Sequence, residues 1–284
     1  MLYNRDIFHR FYFLKKLGEY KFKAKVFLVH SSKPPYKPNP DNIILDITYD
    51  CNLKCIRCNR SCRYAPTNEY MTINQIQKFI DESIEKRKKW KQIWIEGGEP
   101  TLHPQIDEII DLLLKYKHDK NKNVMIQINS NGYSDFTKSK LKELGLQVKI
   151  FSSEKRDIDA KDFCSFNLAP VDLLKNCDID YSVGCYLPAL CGFSLNMNGY
   201  YCCSNAGGID RVIGMDIGIK ELPDSKHNWW SHQMNNFCRY CGHFIDNNKK
   251  HYKFSIPKTN YIISDTWKNF YRKYNNEKIE LNKY

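Results

Sequence analysis

Residues 43–58 read IILDITYDCNLKCIRC. The first six, Ile43–Thr48, are rich in β-branched residues and read as a buried strand. Three cysteines, Cys51, Cys55 and Cys58, follow at once with CX3CX2C spacing. A structural zinc or electron-transfer iron–sulfur site normally takes four ligands. Three thiolates on a 4Fe–4S cluster leave one iron open to bind and activate a small molecule. Cys62 supplies the competing reading, a four-thiol structural site spaced CX3CX2CX3C.

Outward from this stretch, strands alternate with helices. Thr72 reads as an N-cap with Gln75 completing a capping box, and Ile73, Ile76, Ile80 and Ile84 give the helix an apolar face. Gln92–Ile95 reads as a strand and Pro104–Tyr116 as a helix with proline in its first turn. Val124–Ile128 is a strand, Phe136–Glu143 a helix stopped by Gly145, and Val148–Phe151 a strand. Phe163–Asn167 and Ile179–Val183 read as further strands around a short helix at Val171–Leu174. This pattern predicts an α/β fold, a partial (β/α)6 TIM-like barrel over 41–184, with functional residues at the carboxyl ends of strands. The Pro-rich run Lys33–Pro40 separates it from a basic arm at 1–40.

Gly97-Gly98-Glu99-Pro100 follows the second strand and Asn129-Ser130-Asn131-Gly132 the third. With CX3CX2C after the first strand, this series resembles the radical S-adenosylmethionine (SAM) superfamily over about residues 43–184. The resemblance implies SAM and a 4Fe–4S cluster on Cys51, Cys55 and Cys58. It implies that Gly97, Gly98, Glu99 and Pro100 receive the methionine end of SAM, glycine letting the backbone come close. Asn129, Ser130 and Asn131 are expected at the ribose, with Ser152 and Ser153 as further contacts. Arg57 stands where the family commonly has an aromatic residue near the adenine; a guanidinium also stacks on an aromatic face. The implied chemistry is one-electron cleavage of SAM to a 5′-deoxyadenosyl radical that removes hydrogen from substrate. A flavodoxin- or ferredoxin-type protein is the implied electron donor. GGEP disfavours Cys62 as a fourth ligand.

A second group of cysteines follows: Cys185, Cys191, Cys202, Cys203, Cys238 and Cys241. CGFSLNMNGYYCC reads as a hairpin turning at Asn198-Gly199. Cys238-Arg-Tyr-Cys241 is a CX2C ligand pair. The region 185–246 resembles the shortened auxiliary-cluster module called twitch, related to SPASM, which implies a second 4Fe–4S cluster. The expected ligands are Cys191, Cys203, Cys238 and Cys241, with Cys185 able to replace Cys191. Adjacent strand residues face opposite ways, so Cys202 and Cys203 are not both expected to bind. Cys185 and Cys202 then remain as thiols able to give a hydrogen atom to a substrate radical. The competing reading is a zinc knuckle.

Twelve cysteines and no basic-apolar leader point to a reducing cytoplasm. No run approaches a membrane span. Net charge is +12, concentrated in the arm and in a basic aromatic tail at 247–284. Such tails suit anionic ligands or are solvated surface. The expected substrate is a carbohydrate or similar small polar molecule, phosphorylated or nucleotide-linked forms included, undergoing epimerisation or dehydrogenation. A peptide substrate is the alternative, and a zinc-binding nucleic-acid protein a third reading. Glu99 is the one carboxylate singled out, ahead of Asp46, Glu96, Tyr133 and His243.

Overall fold

Strand β1, Asn42–Thr48, is buried at every position, as its apolar run requires. The computed structural model describes residues 33–156, 166–174, 178–224, 226–245, 248, 263–277 and 279–284. Most of the basic arm therefore lies outside the described residues.

Helix α1, Ile73–Glu85, starts at the expected capping box: Thr72 Oγ1 accepts from Gln75 N at 3.2 Å, and Gln75 Oε1 accepts from Thr72 N at 2.9 Å. Then come β2, Gln92–Gly97; α2, Ile106–Lys120; β3, Met125–Ser130; α3, Asp135–Leu144; and β4, Lys149–Ser152. The short helices α4, Pro170–Leu173, and α5, Leu187–Cys191, lead to β5, Phe193–Asn196, and β6, Gly199–Tyr201. Helices α6, Ser204–Ile213; α7, Trp229–Phe237; and α8, Asp265–Asn276, follow.

One open six-stranded sheet runs in the order β4-β3-β2-β1-β5-β6. Every pairing is parallel except β5 with β6. One face carries Ile43, Leu45, Ile47, Ile93, Ile95, Ile126 and Ile128 into a core with Ile76, Phe79, Ile109 and Leu113 of α1 and α2. The alternate positions put Asp46 beside Glu96 and Trp94 beside Gln127 on the other, more polar face.

Four of the six expected barrel strands are present among the described residues of 41–184. Part of Phe163–Asn167 lies outside them, and Phe166 and Asn167 form a turn. Ile179–Val183 is not a strand: Tyr181–Val183 is a 3-10 turn, because Asp180 Oδ1 takes the Ser182 backbone N–H at 2.9 Å and its hydroxyl at 2.5 Å. The hairpin forms one residue early, turning at Met197-Asn198 with Asn196 opposite Gly199. It extends the main sheet, β5 lying parallel against β1.

The basic tail is not simply solvated surface. Trp267 and Tyr271 of α8 are buried, and Tyr284 donates its hydroxyl to Glu82 Oε2 at 2.8 Å. Among the described residues no helix is long and apolar enough to cross a membrane.

Candidate functional site

The end of β1 runs into a loop that gathers the first thiols. Leu53 and Cys55 are buried, with Cys51, Cys58 and Tyr133 packed around them. The Cys58 thiol is pulled down to about 6, first by a hydrogen bond from the Cys62 thiol and then, against burial, by the backbone N–H groups of Cys62 and Arg60. Burial pushes Cys55 up, opposed by the Lys155 ammonium. Arg57 is half-buried in the same loop.

Gly97 and Gly98 are required by backbone contact within the protein. A Cβ on Gly97 would lie 2.1 Å from Thr48 O, and one on Gly98 2.1 Å from Asp50 O. Gly98 N donates to Thr48 O and Glu99 N to Asp50 O, both at 2.8 Å. The two strand ends are thus zipped beside the thiol loop.

Glu99 is completely buried and its carboxylate is fully engaged. It accepts from Thr101 N at 3.2 Å, Thr101 Oγ1 at 2.9 Å, Ser130 Oγ at 2.9 Å and Asn131 N at 2.8 Å. These bonds tie GGEP to the end of β3. Pro100 opens the 3-10 turn that follows. Asn131 donates to Asn52 Oδ1 at 2.8 Å and reaches Cys51 Sγ at 3.9 Å. Ser152 Oγ fills the space beside Gly132 and accepts from Glu154 N at 3.2 Å. Ser153 bonds back to Ser130 O through its backbone N–H at 3.0 Å. Asn129 turns to the polar face, where it donates to Glu96.

That face holds a charge cluster that sequence reasoning missed. Arg60 is buried between Asp46 and Glu96, at 3.1 and 2.5 Å. Burial pushes Asp46 up to about 6, against the pull of Arg60. One Asp46 oxygen, Oδ2, is buried with no hydrogen-bond partner. An aspartate inside an otherwise apolar strand was the available signal, since a buried charge needs a partner. Arg211 was also missed. Its guanidinium donates to Arg60 O at 2.7 Å and Ala65 O at 2.8 Å, and lies 4.5 Å from the Tyr49 ring centroid.

Cys185, Cys191, Cys202, Cys203, Cys238 and Cys241 line one cavity of about 250 Å³, together with Arg60 and Glu96. Every pair drawn from Cys185, Cys203, Cys238 and Cys241 is close enough for charge on one sulfur to oppose charge on the other. Burial first, then these neighbours, pushes Cys185 and Cys238 well up, and Cys241 up to about 12. Cys191 also acts on Cys185. It ends α5, whose Leu190 carbonyl is held by Asn42 at the start of β1. Cys185 thus joins Cys203, Cys238 and Cys241 as a candidate ligand beside Cys191. Cys202 and Cys203 both face the cavity, contrary to the opposite-face argument. Strand β6 ends at Tyr201, and Cys203 is the N-cap of α6. The Cys202 thiol donates to Cys203, which is lowered by that bond and, against burial, by the N–H groups of Ala206 and Asn205.

Among the described residues no three His, Cys, Asp or Glu side chains are gathered as for a single metal ion. A polynuclear cluster spreads its ligands over several irons, and the donors here are thiols, the soft ligands such clusters take. Both cysteine groups fit that chemistry.

The family model described as Radical SAM superfamily matches residues 45–167. A "Probable GTP 3′,8-cyclase" of Methanococcus maripaludis is 32% identical over 102 residues, covering 36% of this chain and 32% of the relative. A "GTP 3′,8-cyclase" of Aliarcobacter butzleri is 31% identical over 111 residues, covering 38% and 32%. The matched stretch thus spans about a third of these relatives' length. Among solved structures, BtrN in an open conformation aligns at 14% identity and a TM-score of 0.41, over 72% of this chain and 88% of BtrN. Streptococcus suis SuiB bound to precursor peptide SuiA aligns at 19% identity and a TM-score of 0.29, over 48% and 27%.

Proposed function

We propose that this chain, whose residues 45–167 match the Radical SAM superfamily model, is a radical SAM enzyme that takes a hydrogen atom from a small polar, carbohydrate-like substrate, ending in epimerisation or dehydrogenation. Cys51, Cys55 and Cys58 would hold the catalytic 4Fe–4S cluster. SAM would lie across Gly97–Pro100 and the end of β3, with Arg57 and Ser152 at its rim. Cys185, Cys203, Cys238 and Cys241 would hold a second 4Fe–4S cluster. When bound, the catalytic cluster supplies the electron that cleaves SAM and so the radical that removes hydrogen.

The observation that carries this reading is the cavity shared by six cysteines, Arg60 and Glu96. Arg60 sits two residues beyond Cys58, so the cavity lies beside the first thiol group while the second lines it. The wall also indicates what the substrate presents. Arg60 is already matched by Asp46 and Glu96, so its guanidinium is not free to bind an anionic group of the substrate. With Cys185 a ligand, the buried Cys202 is the hydrogen-atom donor for epimerisation. Its backbone N–H is held by Gln233 at 2.7 Å. A flavodoxin- or ferredoxin-type donor and a cytoplasmic setting accompany this reading.

The test is anaerobic reconstitution. The chain should bind roughly eight irons and form 5′-deoxyadenosine from SAM with dithionite. Cys51→Ala should abolish that product, while Cys238→Ala should keep it and lose about half the iron. A colourless, zinc-loaded protein would refute the proposal. In deuterated water, epimerisation places one deuterium on product carbon and dehydrogenation none.

A further inference from the structure

Each thiol of the CX3CX2C loop is met by a donor that the ligand set does not require. The Lys155 ammonium, in the segment after β4, lies 3.7 Å from Cys55 Sγ. The Asn131 amide lies 3.9 Å from Cys51 Sγ. The buried Cys62 thiol is in hydrogen-bond contact with both Cys51 and Cys58.

Cys62 is brought there by a costly turn. Ser61 has φ 58°, a region that side chains with a Cβ rarely adopt. It is held in that conformation on several sides. Ser61 N donates to Cys58 O at 2.9 Å, and its hydroxyl pairs with Tyr271 at 3.1 Å. The preceding carbonyl, Arg60 O, takes two bonds from Arg211, at 2.7 and 3.2 Å. The turn folds Cys62 back onto the loop. Its contacts fit a donor to ligand sulfurs better than a fourth ligand.

Resting on the proposed function, we propose that Lys155 and Cys62 are positioning residues that raise the reduction potential of the cluster on Cys51, Cys55 and Cys58. Reduction adds one electron, supplied by a low-potential one-electron reductant, to a group already made anionic by three thiolates. A cation and an S–H donor on those thiolates stabilise the reduced form more than the oxidised form. The low dielectric of the loop strengthens the effect. No bond forms or breaks at either residue, and no proton moves.

The experiment is an EPR-monitored redox titration of reconstituted holoprotein, with iron content measured on each sample. Lys155→Met and Cys62→Ala should each lower the ratio of reduced to oxidised cluster at fixed potential at least tenfold, about 59 mV for one electron. Lys155→Arg and Cys62→Ser keep a donor and should stay within about threefold of the parent. Unchanged potentials in Lys155→Met and Cys62→Ala, with iron intact, overturn the proposal. Where Cys62→Ala fails to hold iron, pulsed EPR of the parent protein in deuterated water decides its part. A strongly coupled exchangeable deuteron at the reduced cluster is expected, and its absence counts against Cys62. A parent protein with no cluster signal at all counts against the proposed function instead.

Discussion

Replacing Arg60 by methionine tests whether the polar face is organised by charge. The guanidinium binds Asp46 Oδ1 through Nε at 3.3 Å and Nη2 at 3.1 Å, and Glu96 Oε2 through Nη2 at 2.5 Å. Side-chain exposure is 8% for Arg60, 1% for Asp46 and 18% for Glu96, so water cannot take over the guanidinium's role. Asp46 and Glu96 are register partners on adjacent strands. Arg60→Met therefore leaves two neighbouring carboxylates buried without a cation. Breaking a buried pair from one side costs about 3–5 kcal/mol. With a urea slope of about 2–3 kcal/mol per molar, the midpoint should fall by roughly 1–2.5 M near neutral pH. The deficit should also depend on pH. Asp46 already stands at about 6 against an ordinary 3.8, so the folded state holds its proton more tightly than the unfolded chain. Its ionisation weakens the fold above about pH 6, and the cost vanishes below the ordinary value. That difference is worth about 3 kcal/mol in the parent protein. Without Arg60 the Asp46 pKa rises further, so lowering the pH from 7.5 to 5 should recover much of the loss. Pulse proteolysis across urea, under anaerobic conditions at both pH values, reads this directly. A loss below about 1 kcal/mol, the scale of exposed pairs, or a loss that is the same at both pH values, would refute the argument.

Three further outcomes follow from the same geometry. Gly98→Ala drives a Cβ to 2.1 Å from Asp50 O, so the strand ends must part; 5′-deoxyadenosine formation should fall at least tenfold, and a parent-like rate would show that the contact is dispensable. Glu99→Gln turns an amide N–H₂ toward groups that already donate; it should cost about 1–3 kcal/mol by urea denaturation and raise the KM for SAM without an acid–base signature in the pH–rate profile. Trp267→Ala opens the packing of α8 beneath the Cys51–Cys62 loop, where Trp267 is fully buried with its ring centroid 5.0 Å from that of Tyr271 and tilted to it; a loss of about 3–5 kcal/mol is expected, with faster amide exchange at residues 58–65 as the local readout.

The parts of this molecule that depend on local pattern were legible in the sequence. The Thr72/Gln75 capping box, the strands up to β4 and the thiols after β1 each follow from residues near one another in the chain. The failures lie where a local preference meets a competing contact. Ile179–Val183 has strand composition, but Asp180 and Ser182 close a turn within three residues. Cys202 and Cys203 obey opposite-face alternation only while the strand continues, and β6 stops one residue earlier. Cys185 and Cys191 both line the cavity, and the packing of the Tyr181–Val183 turn against α7 that places Cys185 there is something no spacing reveals. Charge counting left the tail open between surface and ligand site, yet its Trp, Tyr and Phe residues read equally well as core, and α8 uses them so.

Helix α6 ties these corrections together. Cys203 caps its start within the cavity, and Arg211, eight residues on, grips the carbonyls of Arg60 and Ala65 in the cluster loop. At about 1.5 Å per residue the two ends stand roughly 12 Å apart. Two adjacent glycines lie in its middle, each costing about 1 kcal/mol of helix propensity relative to alanine. A Cβ on Gly208 would meet Asn59 O at 2.8 Å, and one on Gly207 would meet Asn196 Nδ2 at 2.7 Å. The helix gives up propensity to lie flush against the loop on one side and β5 on the other. A rod so placed fixes the distance between the two thiol groups independently of what they bind. The separation of the two thiol groups is thus a property of the fold, set by Gly207, Gly208 and Arg211.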